Sequence, residues 1–169
     1  MELSTRAQRL RQHHGIEHAT VTVLSQRLPG TQVIARSDFG GFVVYGDVDI
    51  DALRAAAEDA LARLQRGERR LAVHPNCGTN LATAGVLTGV AALVAGSGQK
   101  RSFWWERLPS AILAATLALF VAAPLGRWLQ ENVTTSGEVA GLCIASVEPV
   151  TGSPVAAHRV AITQASKLP

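Results

Sequence analysis

The sequence is poor in charged residues, aromatic residues and cysteine. Only 17% of its 169 residues are charged and 5% are aromatic, whereas soluble domains carry about 25% charge. Two cysteines exclude a disulfide-rich secreted scaffold, and a 47% hydrophobic content argues against disorder. The net charge of +3 is small and the basic residues are not interleaved with aromatics, so we expect no nucleic-acid partner.

The missing charges are concentrated in two runs. Residues 78–98 contain no charged side chain in 21 positions, and residues 108–126 contain none in 19. Each run is close to the ~20 residues with which a helix crosses ~30 Å of hydrocarbon. A buried hairpin of a soluble protein is the alternative, but soluble helices of this length rarely lack charges. We therefore predict a two-helix transmembrane hairpin. Its connection carries residues typical of an interfacial anchor: Trp104, Trp105, Lys100, Arg101 and Arg107.

The polar residues on either side of the hairpin are expected in the cytoplasm. The 77 residues before the first run show no export signal, and two spans return the chain to the side from which it started. The basic residues near the span ends do not decide the orientation, because the two sides are nearly balanced. We expect a multi-pass protein of the inner (plasma) membrane. Its expected partners are the lipid bilayer, a membrane-protein or lipid-like substrate, and a further copy or membrane complex.

The polar segments alternate between helical and extended patterns, which predicts an α+β fold. Ser4 and the acids of 47–51 are candidate N-caps. We predict helices at 4–28 and 51–67, and strands at 31–36, 41–46, 69–75, 139–150 and 155–163. The result is a small polar domain, with an N-terminal helix, short strands, one further helix and a C-terminal β-hairpin, interrupted by the transmembrane hairpin. Its parts are 1–77, 78–128 and 129–169, the last packing on the first.

Four of the five histidines fall in two motifs, the first of which is His13-His14-Gly15-Ile16-Glu17-His18. On a helix, His14 and His18 are one turn apart on the same face, so both imidazoles can bind one metal. Glu17 lies beside them, which makes the segment H-x-x-E-H, the inverted form of the zinc-protease motif. Gly15 costs up to ~1 kcal/mol inside a helix, so we expect another group to approach closely there. A polar helix face with incidental histidines is the alternative.

The second motif is His74-Pro75-Asn76-Cys77-Gly78-Thr79. Pro75 turns the chain, so His74 and Cys77 can converge across the turn. Cys77 is predicted at the N-terminus of the first membrane helix, where the helix dipole favours the thiolate that binds Zn²⁺. An ordinary turn with a half-buried thiol is the alternative. Together the motifs predict a site for Zn²⁺ or another divalent transition metal, with these candidate ligands: His14, His18, His74 and Cys77.

The two motifs also carry a resemblance to known proteins. An H-G-x-E-H helix followed by H-P-x-C-G-T at a membrane span resembles the YqhQ-like bacterial membrane proteins, whose proposed metal-dependent activity has no established reaction. Residues 126–135 resemble their L-Q-x-x-T-T stretch. The whole chain, including S-D-F-G-G-F, is similar to a shorter uncharacterised family of membrane proteins from photosynthetic and related bacteria. This chain is shorter than the YqhQ-like proteins and has fewer spans. The resemblance implies site residues at His14, Glu17, His18, His74 and Cys77, with Gln130 and Thr135 as weaker candidates.

The remaining reactive side chains are assigned to the fold rather than to a site. His13 is expected to be solvated rather than paired with Glu17. His158 is expected to pack within a strand, and Cys143 to lie inert in the core. Gly40-Gly41 is explained by a tight turn.

Two functions of different kinds fit these residues. The first is a membrane-embedded, zinc-dependent hydrolase whose site lies at the cytoplasmic membrane surface, with Glu17 as general base. The second is a non-catalytic protein in which a closed four-ligand zinc site serves an assembly or interaction factor. A cysteine nucleophile at Cys77 with His74 as base is disfavoured, because no third orienting group is evident.

Overall fold

The computed structural model describes residues 2–97 and 103–167 and divides the chain into two compact units. The first unit comprises Met1–His74 and Glu131–Pro169, and the second comprises Pro75–Gln130. The predicted α+β class, with two apolar helices within the chain, is confirmed. Of the predicted anchor, Lys100, Arg101 and the side chain of Trp104 lie outside the described residues, as does the predicted end of the first span at residue 98.

Two helices of the first unit follow the apolar periodicity of the sequence. Helix α1 spans Glu2–Arg27 and α2 spans Ile50–Gln65. The prediction that Ser4 caps α1 is wrong, because the helix already includes Glu2 and Leu3. Asp49 caps α2, its carboxylate accepting the amides of Asp51 and Ala52. The buried face of α2 is formed by Leu53, Ala56, Ala57, Ala60, Leu61 and Leu64.

The strands form one antiparallel sheet in the order β1-β2-β4-β3. They are β1 (Ile34–Asp38), β2 (Gly41–Tyr45), β3 (Leu142–Pro149) and β4 (Ala157–Gln164). The C-terminal hairpin joins the N-terminal one through β2 and β4, where the fully buried Phe42 and Val160 are paired. Helix α1 contacts β1 and β2, and α2 contacts β3. The hydrophobic core lies between these helices and the sheet.

The predicted strand at 69–75 is wrong, because Arg69–Ala72 forms a 3₁₀ turn. The apolar residues there are the three consecutive residues 71–73, which is too short a pattern to specify a strand. The sheet is completed by other strands, and the carbonyl of Ala72 is bonded instead to the ring of His18. This bond ties the turn to α1.

The second unit is a helical hairpin of α3 (Gly78–Gly96) and α4 (Trp104–Leu129). The helices run antiparallel, since Arg107 at the start of α4 donates to the carbonyl of Gly96, 3.1 Å away, at the end of α3. Both helices are long and apolar enough to cross a membrane. Their large apolar side chains are exposed, as at Leu93 and Phe120, which a lipid environment would explain. A π-helical turn, Gln130–Thr134, follows α4.

Candidate metal centre

His14 and His18 lie on one face of α1 with their ring centroids 4.4 Å apart, as their spacing predicts. Each ring is held by a backbone carbonyl. The Nδ1 of His14 is 3.0 Å from the oxygen of Thr134, and the Nδ1 of His18 is 2.8 Å from that of Ala72. A carbonyl oxygen only accepts, so each Nδ1 bears a proton, and in the neutral ring the lone pair is on Nε2. This tautomer and this type of outer hydrogen bond are those of metal-ligating histidines.

Glu17 and His74 are found close to the histidine pair in the fold of the first unit. Glu17 precedes His18 and lies one turn from His14 on α1, and it is buried, with 6% exposure. His74 is half-buried, and its ring centroid lies 5.9 Å from that of His18. The tight turn at Pro75 follows directly. The helix thus keeps Glu17 next to His18 in the chain and one turn from His14, and its role as a base stays a prediction.

Cys77 belongs to the second unit, where it is the N-cap of α3. Its buried thiol accepts the amide of Thr79 at 3.4 Å. The prediction that it occupies a helix N-terminus is confirmed, and this end of a helix favours negative charge on sulfur. The chain therefore offers imidazole and thiolate donors, the types that a zinc-like ion prefers, on His14, His18 and Cys77.

Gly15 allows the backbone of a distant segment to reach α1. A Cβ built at Gly15 would lie 2.3 Å from the carbonyl oxygen of Ser136 and 3.3 Å from the Cβ of Ala72. The expectation that something approaches closely at this glycine is therefore confirmed. The amide of Ser136 also donates to the carbonyl of Arg11 at 2.9 Å. The missing side chain at Gly15 brings residues 134–136 within reach of the ring of His14.

Arg11 is a residue of this region that the motifs did not indicate. Its Nη2 donates to the carbonyls of Asn132 at 2.9 Å and Thr135 at 3.2 Å. These carbonyls flank that of Thr134, which holds His14. The only available sequence signal is the helical spacing, which puts Arg11 one turn before His14. Its partners are backbone carbonyls, which every residue type has, so the sequence does not identify them.

The expectation that His13 is solvated is wrong. Its side chain is 3% exposed, and its Nδ1 is 2.8 Å from the carbonyl oxygen of Asp38. Burial lowers the pKa of His13 below its ordinary value of 6.5, and the hydrogen bond to Asp38 opposes that effect in part. Helix α1 contacts both β1 and β2, so the face that carries His13 is turned towards the hairpin. His13 therefore joins α1 to the sheet.

The weaker candidates occupy separate places. Gln130 and Thr135 are both buried, but Gln130 ends the second unit whereas Thr135 belongs to the first. Cys143 is half-buried in β3, and its thiol is 3.5 Å from the carbonyl of Thr163. His158 lies half-buried in β4, as its strand pattern predicts. Gly40-Gly41 closes the β1–β2 turn, where the amide of Gly40 bonds to the Asp38 carboxylate at 2.8 Å.

Comparisons with known proteins indicate a family but no reaction. Residues 9–147 match the family described as "Domain of unknown function (DUF6391)". The chain is 34% identical over 141 residues to an uncharacterised protein of Picosynechococcus sp.. That alignment covers 75% of this chain and 66% of the relative, so the chain spans less than two thirds of the relative's length. No solved structure matches the chain significantly. The prediction of an uncharacterised family is confirmed.

Proposed function

The chain belongs to this family of unknown function, and from that premise we propose that it is a membrane-embedded, metal-dependent hydrolase. The observation that carries the proposal is the paired His14 and His18, each oriented by a backbone carbonyl in the tautomer that binds metal. The likeness of both histidine motifs to those of the YqhQ-like proteins supports the same assignment. The reaction class rests on Glu17 beside the pair.

The donor set fits a zinc-type ion. Imidazole nitrogen and thiolate sulfur are preferred Zn²⁺ ligands, and a catalytic zinc has three protein ligands and one open position. In this proposal His14, His18 and Cys77 are the three ligands, and His74, whose ring lies near that of His18, is a fourth candidate. Such an ion, when bound, supplies Lewis acidity, which lowers the pKa of a coordinated water towards neutrality and polarises a carbonyl.

The chain's own residues have separate tasks in the proposed reaction. Glu17 is the general base, which takes the proton of the attacking water and returns it to the leaving group. Thr134 and Ala72, through their carbonyls, keep the two imidazole rings in position. The burial of Glu17 keeps bulk water from competing for its proton.

Metal content tests the ligand assignment directly. Detergent-purified wild-type protein is expected to carry about one divalent ion per chain, measured by elemental analysis. His14→Ala, His18→Ala and Cys77→Ala are each expected to lose most of it. His158→Ala, in β4, is the matched control and should retain it. Equal metal content in the wild type and the three ligand variants would overturn the metal site.

Glu17→Gln tests the reaction class. Glutamine preserves the shape of the side chain but cannot accept a proton, so the variant should keep its metal. Its rate of hydrolysis of p-nitrophenyl acetate, a simple activated ester, should fall by about 10²–10⁴-fold. The retained metal shows that the fold is intact. A rate equal to that of wild type would refute Glu17 as the base.

A structural zinc site in an assembly or interaction factor is the second candidate, and burial favours it. His18 and Cys77 are 4% and 7% exposed, as expected of ligands in a closed site. Cobalt substitution separates the two functions. A d–d absorption spectrum that changes on addition of acetohydroxamate indicates an open position and the hydrolase. A tetrahedral spectrum insensitive to the inhibitor indicates a closed, structural site.

We further propose that the protein is a multi-pass inner-membrane protein with its first unit in the cytoplasm. One sheet contains strands from both sides of the apolar hairpin, through the β2–β4 pairing. Both flanks must therefore lie on the same side of the membrane. A membrane-protein or lipid-like substrate, and assembly with further copies or other membrane proteins, are also proposed, because both apolar helices are long enough to cross a membrane.

A further inference from the structure

A cavity of about 540 Å³ opens in the first unit, apart from the side chains proposed to hold the metal. Its walls come from the first half of α1, the 3₁₀ turn and residues 131–138. Its volume lies within the range of small-molecule sites, about 300–1,000 Å³. Four charged residues line it: Arg11, Arg69, Glu131 and Glu138.

The charged groups of the wall are balanced, with two guanidinium groups and two carboxylates. Arg11 is held in place through its Nη2 by two backbone carbonyls. Its Nε is buried and has no hydrogen-bond partner among the residues that the structure describes. Because this atom is shielded from the open space, Arg11 acts on a bound group through its fixed positive charge.

The ion pair of Arg69 and Glu138 on this wall can be broken with little loss of stability. Arg69 and Glu138 are 3.3 Å apart with side chains 68% and 66% exposed, and such an exposed pair contributes little to stability. A ligand can therefore replace this contact at small cost. Glu131 is exposed on the same wall and adds the second carboxylate.

We propose that this cavity binds a small zwitterion with a primary ammonium group and an oxyanion, as in phosphoethanolamine. Arg69 binds the oxyanion, since a guanidinium group matches phosphate or carboxylate oxygens, and the positive charge of Arg11 attracts it. Glu131 and Glu138 accept N–H donors of the ammonium group and disfavour an anion that lacks a positive charge. The source is either the free molecule or the headgroup of an aminophospholipid. The proposal rests on the cavity and not on the proposed metal.

Calorimetric titration of the detergent-purified full chain with O-phosphoethanolamine tests this site. Binding of about one molecule per chain is expected. Arg69→Gln and Glu131→Gln should each weaken it about tenfold, the usual effect of losing a hydrogen bond to a charged group. Arg11 is left unchanged because it also holds residues 132–135 in place. Arg36→Gln in β1 and Glu148→Gln in β3, both exposed, are the matched controls and should bind like wild type.

Two further ligands test the chemistry. Phosphocholine has no N–H donor and inorganic phosphate has no ammonium group, so each should bind about tenfold more weakly than phosphoethanolamine. Binding equal for all three ligands, or equal in the variants and controls, would overturn the proposal. So would loss of binding after treatment with a chelator, since the ligand would then lie on a metal.

Reconstitution distinguishes the two sources of the ligand. In phosphatidylcholine nanodiscs that also contain phosphatidylethanolamine, a headgroup in the cavity would compete with added phosphoethanolamine. The apparent affinity should then fall about tenfold relative to pure phosphatidylcholine nanodiscs if the lipid is the ligand. An unchanged affinity assigns the site to the free molecule. Absence of binding in both kinds of nanodisc would contradict the proposal.

Discussion

Gly15 is the residue at which the site depends most directly on the absence of a side chain. In an open helix, Gly→Ala is favourable by about 1 kcal/mol. At Gly15 the new methyl group would meet the carbonyl of Ser136 at 2.3 Å, and overpacking of this kind costs about 1–3 kcal/mol. We therefore expect Gly15→Ala to destabilise the protein and to lower its metal content, because Thr134 would move with Ser136.

The measurement for Gly15 is thermal unfolding in detergent together with elemental analysis. Gly85→Ala in α3 is the control, since a Cβ there meets no described atom within 4 Å. A Gly15→Ala protein as stable as wild type would show that residues 134–136 can withdraw without cost.

Asp38 and Arg159 form a paired charge at the end of the β1–β2 hairpin. The Arg159 guanidinium bonds to both carboxylate oxygens, with one contact at 2.7 Å, and holds the pKa of Asp38 below its ordinary value of 3.8. The pair contributes stability above pH 3.8, and this contribution is lost as the pH falls through the lowered pKa. Asp38 is half exposed, so solvent screens much of the effect.

Acid unfolding of Asp38→Asn checks the direction of this pH dependence of stability. Melting temperatures of wild type and variant should differ most near neutral pH and converge as the pH falls from about 4 to about 2. Asp47→Asn, an exposed aspartate outside the pair, should follow wild type throughout. A difference that grows with acidification would contradict the assigned direction.

At the residue scale, sequence reasoning found the ligand-type side chains but not their supports. His14, His18 and Glu17 were indicated by spacing along one helix, which is a local property. The carbonyls of Thr134 and Ala72 that orient the rings come from segments far along the chain, and every residue type has a carbonyl. The burial of His13 was missed for the same reason.

At the scale of elements, the start of α2 depends on one cap. Asp49 accepts the amides of Asp51 and Ala52 at 3.0 and 2.9 Å. Asp49→Ala should lower the free energy of unfolding by about 1 kcal/mol, as measured by denaturant titration in detergent. Asp47→Ala, just before the helix, should cost less than half as much. Equal effects of the two variants would show that the cap is not the stabilising feature.

The elements that were predicted well are those with long patterns. Helices α1 and α2 repeat an apolar period over several turns, and strands β2 and β4 bury apolar residues at alternate positions, namely Phe42 and Val44, and Val160 and Ile162. The segment at 69–75 contains only a short apolar run, and its first four residues form a 3₁₀ turn. Its conformation is set by contacts with α1, including the bond between Ala72 and His18.

At the scale of the whole molecule, the β2–β4 pairing predicts the membrane topology. Since one sheet takes strands from both sides of the hairpin, a reporter after residue 100 should lie on the opposite side from a reporter at the C-terminus. Alkaline phosphatase is expected to be active after residue 100 and inactive at the C-terminus, and green fluorescent protein should show the reverse. The same result at both positions would contradict two spans, and a reversed result would contradict a cytoplasmic first unit.

The sequence by itself determined the class of the fold, the two charge-free runs and the residue types of the candidate site. These properties follow from periodicity, composition and spacing within single segments, which a linear chain displays directly. Only the tertiary structure decided that β4 pairs with β2, that residues 134–136 reach Gly15, and that Arg11 and Arg69 line one cavity with Glu131 and Glu138. Such contacts join segments more than 50 residues apart. They are made by backbone atoms and by the shapes of the packed elements, which the residue types of the sequence do not reveal.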